Sequence, residues 1–309
     1  MKKKILVVGS VGMTLLLLTH RVPEAGEWVT ESDPYGYLAG GRGGTAAVAL
    51  TRLGADAVLS ARLGGDTNGN RLLKLLEESG VDRRFLHMDG TQNSGLSVVL
   101  REASGTTRTI CYPGANAGHS PRAVEEAFAC EPDALYVEFG VPFETVSAAM
   151  NIATERGIPI IANAASSIYN PDYAKLPPME IFSPDAEEAE RLTGTRPAGT
   201  ASCLTAAHEI SKLVRARYYV LKIGDRGSYV YDGKFCHLAS AYNIRVKDTT
   251  GAGDIFTAAM TCSYLECGDI RTACAYGNAA AAIAIARVGA AVAAPTDAEV
   301  REFLATHKV

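Results

Sequence analysis

The chain has 309 residues, 47% of them hydrophobic and 21% charged, as in a globular protein of one large α/β domain or two smaller domains. Its formal net charge of −4, with no Lys/Arg run beyond residues 2–4, argues against a nucleic-acid-binding surface. The seven cysteines are scattered without a C-x-x-C pair, which argues against zinc or disulfides and favours reduced thiols in a cytoplasm.

The first predicted element is a buried strand. Three lysines followed by apolar residues 5–18 have the order of a signal peptide, but glycines at 9 and 12 interrupt the apolar run. Ile5 to Val8, ending at Gly9, is typical of the first strand of a parallel sheet. The alanine-rich run 273–294 contains Asn278 and Arg287, so no membrane span is predicted.

Residues 14–39 are predicted to form short strands, separated by turns at 23–27 and at Asp33-Pro34. Leu15 to Leu18 fit either a strand of the main core or a small lid sheet, which covers a substrate and packs against a second subunit. Residues 94–112 predict two further strands joined by a hairpin at 104–106. We favour the lid for residues 14–39.

The first glycine-rich segment is Gly40-Gly41-Arg42-Gly43-Gly44, which opens a predicted helix from Thr45 to Leu53. Glycines at a helix start allow a ligand to approach the backbone closely. The chain contains no G-x-x-x-x-G-K-[ST], which excludes the ordinary P-loop. Its early glycines read G-x-x-G rather than G-x-G-x-x-G, so a nicotinamide-dependent oxidoreductase is only weakly supported.

From residue 132 onwards, strand-like and helix-like segments alternate. The segments 134–138, 146–156 and 158–163 predict strand, helix and strand, the pattern of a parallel sheet with crossover helices. Residues 185–192 predict another helix, with Asp185 and Glu188 on one face. Two such carboxylates usually mark a solvated surface.

The segment from Asp248 to Asp254 contains the main candidate site. Gly251 and Gly253 permit a tight turn, and a helix opening at about Ala252 exposes unpaired N–H groups that attract phosphate. Asp254 stands in the first turn, where it can take a proton from a hydroxyl while the N–H groups stabilise a transferring phosphoryl group. The alternative is a glycine-rich turn with Asp254 as an ordinary helix-start residue.

Several motifs in order resemble those of the ribokinase-like (PfkB) carbohydrate kinases. D-T-T-G-A-G-D-x-F at 248–256 resembles the C-terminal signature of that family, and G-G-R-G-G-T-A-A at 40–47 resembles its N-terminal signature. Between them, the segments 64–69, 80–82 and 221–227 resemble further family motifs. The resemblance runs from about Ile5 to the C-terminus.

The resemblance implies a three-layer α/β/α fold with a central, mostly parallel sheet and a small β-sheet lid. It predicts one kinase domain over residues 1–309, with lid strands at approximately 12–40 and 94–118. The implied activity is ATP-dependent phosphorylation of a primary hydroxyl of a sugar. A homodimer formed through the lid is expected.

Site residues follow from the matching motif positions. The implied catalytic groups are the base Asp254 and the backbone of Gly251, Ala252 and Gly253. The implied substrate contacts, besides Asp254, are Gly12, Thr14, Gly40, Gly41, Arg42, Thr45 and Glu138. The implied nucleotide contacts are Asp185, Lys222, Gly224, Gly227, Gly251, Gly253 and Asn278. For metals, Asp185 and Glu188 are expected to support Mg²⁺ through water, and Asp248, Thr250, Ala284, Arg287 and Gly289 to bind K⁺, mostly by carbonyls.

The acceptor itself stays open at this stage. The family usually carries an aspartate that grips sugar hydroxyls where this chain has Thr14, and an asparagine where it has Thr45. A site without those partners loses affinity for the sugar that needs them. Ribose, a related pentose, a ketose, a deoxy-sugar and a nucleoside remain candidates, as does a weakly catalytic binding homologue.

Overall fold

The structure is a computed structural model that describes residues 2–28, 35–102, 107–164, 169 and 171–307. The predicted turns at Asp33-Pro34 and 104–106 lie outside these residues. The strands of the described part are β1 (Lys4–Val8), β2 (Gly12–Thr19), β3 (Gly36–Gly40), β4 (Asp56–Gly64), β5 (Asp82–Asp89), β6 (Gly95–Glu102), β7 (Thr107–Tyr112), β8 (Ala134–Glu138), β9 (Ile160–Asn163), β10 (Met179–Ser183), β11 (Ala216–Lys222), β12 (Ser228–Tyr231) and β13 (Cys236–Ala239).

The α-helices of the same residues are α1 (Arg42–Arg52), α2 (Thr67–Glu78), α3 (Pro121–Ala127), α4 (Phe143–Glu155), α5 (Ala186–Thr193), α6 (Thr200–Leu213), α7 (Ala252–Cys267), α8 (Ile270–Ile285) and α9 (Asp297–Thr306). Among them, none is long and apolar enough to cross a membrane.

The main sheet has nine strands in the order β13-β12-β11-β10-β9-β8-β1-β4-β5. Its pairs are parallel except β11–β12 and β12–β13, which form an antiparallel edge. Alternate residues of β1 enter two different cores: Ile5 and Val7 pack with α1, α7 and α8, while Leu6 and Val8 pack with α3, α4 and α6. The predicted helix–sheet–helix layering is therefore confirmed.

Four strands form a separate small sheet in the order β3-β2-β6-β7. β2 and β6 are parallel, and the outer strands pair antiparallel to them. These strands fall within the two segments predicted for the lid, although residues 114–118 form a 3₁₀ turn instead of a strand. The assignment of the whole chain to a single domain stays a prediction.

The helix predicted from Thr45 begins three residues earlier, at Arg42. The glycines take part in the helix because they let it pack directly on the backbone after β1. A Cβ at Gly43 would lie 2.8 Å from the carbonyl carbon of Gly9, and the N–H of Gly44 donates to Ser10 O at 3.1 Å. Absence of side chains is what allows this close approach.

Candidate active site

The first turn of α7 has the geometry that its sequence predicts. Gly251 is the N-cap, with φ 78° in the left-handed region, and the helix begins at Ala252. The N–H groups of Ala252 and Asp254 donate to Thr249 O at 3.2 Å and Gly251 O at 3.1 Å, whereas the N–H of Gly253 donates to no acceptor among the described residues. This helix start therefore presents donors and a positive dipole end to a ligand.

Asp254 lies in this first turn, and its side chain is only 13% exposed. Its Oδ1 accepts a hydrogen bond from Asn163 Nδ2 at 2.7 Å and faces Arg42 Nε at 3.4 Å. Burial raises the pKa of the Asp254 carboxyl above its ordinary value, while the charges of Arg42 and Lys222 oppose the rise. A raised pKa suits a general base, provided that the carboxyl stays ionised at the working pH.

Arg42 connects the two acidic groups of the site. It donates to Glu188 Oε1 at 2.9 Å and to the carbonyl of Ala164 at 2.7 Å, in addition to its contact with Asp254. Burial works to lower the pKa of Arg42, but the neighbouring carboxylates outweigh it and hold that pKa well above its ordinary value. Arg42, an implied substrate contact, thus places a positive charge beside Asp254, and it also contacts Glu188, which the motifs did not indicate.

The carboxylates predicted to support Mg²⁺ lie at the start of α5. Asp185 is its N-cap and accepts from the N–H of Glu188 at 2.8 Å, while Glu188 Oε2 accepts from the N–H of Asp185 at 2.8 Å. This reciprocal pair is a capping box. Asp185 therefore stands just before the helix and not on its face, and Glu188, which it contacts, is buried and not solvated.

A cavity of about 350 Å³ lies between the lid sheet and the first turn of α7. Six predicted substrate contacts line it: Gly12, Thr14, Gly41, Arg42, Thr45 and Asp254. The far wall is neutral, and is formed by Met13, Leu96, Ser97, Thr109, Cys111 and Tyr112. A Cβ at Gly12 would lie 2.9 Å from Gly95 O, so close strand pairing keeps this position free of a side chain.

Two predicted substrate residues lie outside this lining. Gly40 is packed against Thr45, whose Oγ1 would be 2.5 Å from an added Cβ. Glu138 is fully buried, and its carboxylate accepts from the N–H groups of Ser10 and Gly140, the latter at 2.7 Å. Contact between Glu138 and a sugar would require the carboxylate to exchange one of these bonds, so that role stays a prediction.

The predicted nucleotide contacts other than Gly251 and Gly253, which belong to the start of α7, lie at the other half of the sheet, around β10 to β13. Gly224 and Gly227 have φ 62° and 98° in the turn between β11 and β12, so glycine is favoured there by the turn itself. Asn278 donates to the carbonyls of Ala239 and Ser240, at 2.9 and 3.2 Å, and so fixes the end of β13. Lys222 turns its ammonium into the protein, onto Asn163 Oδ1 at 2.5 Å.

The residues predicted to bind K⁺ gather around the loop before α7. Asp248 Oδ1 accepts from the N–H and hydroxyl of Thr250, at 3.0 and 2.7 Å. Asp248 Oδ2 is buried and has no hydrogen-bond partner among the described residues. The carbonyls of Ala284 and Gly289 accept from Arg287 and Val292 respectively, and Arg287 pairs with Glu299.

Two residues at this site carried no predicted role. Asn163 ends β9, and a polar residue at the carboxyl end of a parallel strand is a signal that sequence reasoning could have used. Arg101 of lid strand β6 lies 3.5 Å from Asp248 Oδ1 and 3.5 Å from Thr250 Oγ1. Nothing in the local sequence around Arg101 indicates this long-range contact.

A parallel sheet, a lid sheet and a buried aspartate at a helix N-terminus facing a cavity are the features of a small-molecule phosphotransferase. The sequence profile described as pfkB family carbohydrate kinase matches residues 2–297. The chain belongs to the pfkB family of carbohydrate kinases. The class predicted from its motifs, a phosphotransferase with an alcohol group as acceptor, is confirmed.

Individual relatives agree with this membership. The ribokinase of Haemophilus influenzae is 27% identical over 307 residues, covering 98% of this chain and 99% of that protein. The deoxyribokinase of Salmonella typhi is 25% identical over 309 residues, covering 98% and 99%.

Solved structures share the fold. The ribokinase from Giardia lamblia matches with a TM-score of 0.87 at 21% identity, covering 98% of this chain and 100% of that one. The ribokinase of Arabidopsis thaliana, complexed with ribose and ATP, matches with a TM-score of 0.83 at 23% identity, covering 99% and 100%. The predicted ribokinase-like α/β fold is confirmed.

Proposed function

We propose that this protein transfers the γ-phosphoryl group of ATP to a primary hydroxyl of a pentose or a closely related sugar. The observation that carries the proposal is the buried Asp254 in the first turn of α7, on the wall of the cavity and beside Arg42. The relatives named ribokinase and deoxyribokinase, and the neighbour complexed with ribose and ATP, support the choice of sugar and nucleotide.

In the proposed step, Asp254 accepts the proton of the sugar hydroxyl as its oxygen attacks the γ-phosphorus. A new P–O bond forms to the sugar, the bond to the bridging oxygen of ADP breaks, and ADP leaves with that electron pair. The N–H groups of Gly251, Ala252 and Gly253 face the charge that develops on the phosphoryl oxygens. Arg42 holds Asp254 in its ionised form and adds positive charge beside it.

For the nucleotide, we propose the sheet ends near β11 and β13, with Gly224, Gly227 and Asn278 shaping the surface. Asp185 fits a Mg²⁺ ion bound through water, because the capping bond occupies only its Oδ1. Both oxygens of Glu188 already accept hydrogen bonds, from Arg42 and from the N–H of Asp185, so Glu188 would support the ion through their second lone pairs. No group of three or more metal-binding side chains occurs among the described residues, so phosphate oxygens and water would complete the shell. Mg²⁺ neutralises phosphate charge during transfer.

A monovalent cation fits the loop before α7. The buried, unpartnered Oδ2 of Asp248 is an oxygen that a cation would satisfy, and the carbonyls of Thr250, Ala284, Arg287 and Gly289 are the proposed further ligands. A K⁺ ion there would brace the loop that leads into the first turn of α7. We propose the cytoplasm as the place of action, since ATP and reduced thiols occur together there.

The test is ADP release with Mg²⁺-ATP across pentoses, deoxy-pentoses, ketohexoses and nucleosides, with and without K⁺. We expect turnover with a pentose or deoxy-pentose, and a loss of about 10²–10⁴-fold in Asp254→Asn if Asp254 is the base. Asp269→Asn, at the half-buried N-cap of α8, is the matched control and should keep wild-type turnover.

Three other outcomes would overturn parts of the proposal. Turnover with a nucleoside alone would make the protein a nucleoside kinase of the same family. A ligand-induced rise in melting temperature without ADP release would indicate a binding homologue. Unchanged turnover in Asp254→Asn would remove Asp254 from the role of base.

A further inference from the structure

Lys222 is a buried ammonium group for which the proposed reaction gives no use. The side chain lies at the end of β11, and the residue is 8% exposed. Its Nζ donates to Asn163 Oδ1 at 2.5 Å and to Ser183 O at 2.9 Å, and lies 3.5 Å from Thr257 Oγ1. Burying a charged ammonium group costs free energy unless nearby groups stabilise the charge. The partners of Lys222 therefore indicate what its charge stabilises in return.

Asn163 connects this ammonium to the candidate base. An ammonium group has only donors and a carboxylate only acceptors, so the amide must turn its oxygen to Lys222 and its NH₂ to Asp254. The observed contacts have this orientation, with Asn163 Nδ2 2.7 Å from Asp254 Oδ1. The charges at the two ends of the link therefore fix the orientation of the amide between them.

The same link decides which oxygen of Asp254 is available. The hydrogen bonds that Asp254 receives from Asn163 and from Arg42 both end on Oδ1. Oδ2 receives no hydrogen bond from the described residues, so it is the oxygen of this cavity-lining residue that is left to take a proton. Lys222 also lies behind the first turn of α7, since a Cβ at Gly253 would be 3.7 Å from its Cδ.

We propose that Lys222 and Asn163 are positioning residues that lock Asp254 with Oδ2 as the reactive oxygen and keep that carboxylate ionised. This rests on the proposed sugar-kinase function. It replaces the expected nucleotide contact of Lys222 with a role exerted through Asn163 on the base.

The charges around Asp254 set the direction of the expected pH effect. The groups that face it are Arg42 of α1, Lys222 of β11, and Tyr136 and Glu138 of β8, with Glu188 of α5 beyond Arg42. Lys222 lowers the pKa of Asp254, whereas burial and Glu138 raise it. Removing the ammonium therefore raises the pKa of the base, and the acid side of the rate profile moves to higher pH.

The experiment compares Lys222→Met and Asn163→Asp with the wild type in kcat, in the KM for ATP, and in the pH profile of kcat/KM for the sugar. We expect Lys222→Met to lower kcat about 10- to 100-fold. The acid limb of the profile, where kcat/KM falls as the base is protonated, should move to higher pH by about one unit. The KM for ATP should stay within about threefold of the wild-type value. Asn163→Asp places a second carboxylate beside the base and should raise the limb further. Lys222→Arg should partly restore kcat.

Lys4→Met is the matched control. Lys4 is also a partly buried lysine that donates to a backbone carbonyl, Cys130 O, but it lies at the first residue of β1, away from the proposed site. It should leave the pH profile unchanged. A raised KM for ATP with an unmoved acid limb would return Lys222 to nucleotide binding. If kcat falls only in proportion to the fraction of enzyme that is folded, and the acid limb of the pH profile does not move, the contact is merely structural.

A second readout separates this proposal from the proposed function. The ¹³C carboxyl resonance of Asp254, assigned by its loss in Asp254→Asn, titrates whether or not the protein turns over a sugar. An upward shift of its midpoint in Lys222→Met supports the link even if the panel of sugars is inactive. An unchanged midpoint in an active enzyme overturns the link and leaves the kinase assignment intact.

Discussion

At the scale of single residues, His119 is a buried imidazole outside the proposed site. Its Nε2 lies 3.3 Å from Ser60 Oγ, and its Nδ1 has no hydrogen-bond partner among the described residues. Burial lowers the pKa of His119 from 6.5 to about 4, and electrostatic interactions with His87 and Arg62 add to this effect. The ring is therefore neutral in the folded protein at pH values where the unfolded chain becomes protonated.

We expect this difference to weaken the fold in mild acid. Below pH 6.5 the unfolded state takes up a proton that the folded state refuses, so the free energy of unfolding falls until about pH 4. The loss amounts to at most about 3 kcal/mol. The free energy of unfolding, measured with urea between pH 4.5 and 7.5, should depend less steeply on pH in His119→Gln than in the wild type. His208→Gln, on the exposed side of α6, is the control and should keep the wild-type dependence on pH. If His119→Gln were as dependent on pH as the wild type, the acid effect would not arise from His119.

At the scale of elements, the start of α5 combines a structural and a proposed functional role. Asp185 caps the helix and is proposed to support Mg²⁺, and two substitutions separate these effects. Asparagine caps a helix about as well as aspartate, whereas alanine costs about 1 kcal/mol. We expect Asp185→Asn to keep the wild-type melting temperature but to need severalfold more Mg²⁺ for half-maximal turnover. Asp185→Ala should lose both stability and Mg²⁺ affinity.

Asp269→Ala provides the control for this pair. Asp269 caps α8 through the N–H groups of Arg271 and Thr272, at a half-buried position outside the proposed site. Its loss should lower stability by a similar amount and leave the Mg²⁺ requirement unchanged. An Asp185→Asn enzyme with a wild-type Mg²⁺ requirement would reduce Asp185 to a helix cap.

The sequence predicted elements better than contacts. The strand before Gly9, the helix from Ala252 and the lid strands have local signatures: a buried apolar run, a glycine turn and short strand-like segments separated by turns. The contact of Arg42 with Glu188 joins residues 146 apart, and the link from Lys222 to Asn163 joins residues 59 apart. Such contacts depend on the order of strands in the sheet, which no local pattern records. The fold was therefore predictable, whereas the hydrogen bonds and ion pairs around Asp254 were not.

At the scale of the whole molecule, the lid sheet has two different faces. Thr14, Ser97 and Cys111 stand in one cross-strand row that lines the cavity. Successive residues of a strand point to opposite faces, so the next row, Leu15, Val98 and Ile110, belongs to the other face. Ile110 is 72% exposed, and Leu15 and Val98 are half-buried. An apolar row of this kind is the surface on which we expect the lid of a second copy to pack.

Light scattering after size-exclusion chromatography tests this assembly. We expect a dimer at micromolar concentration for the wild type and a monomer for Ile110→Lys, because a buried lysine at the interface would be left without a partner. Leu204→Lys changes a leucine of α6 that is 43% exposed, and it should remain dimeric. Since the opposite face of the same strands lines the cavity, the monomer should also show a raised KM for the sugar. A strictly monomeric wild type would contradict the lid interface while leaving the site beneath it unaffected.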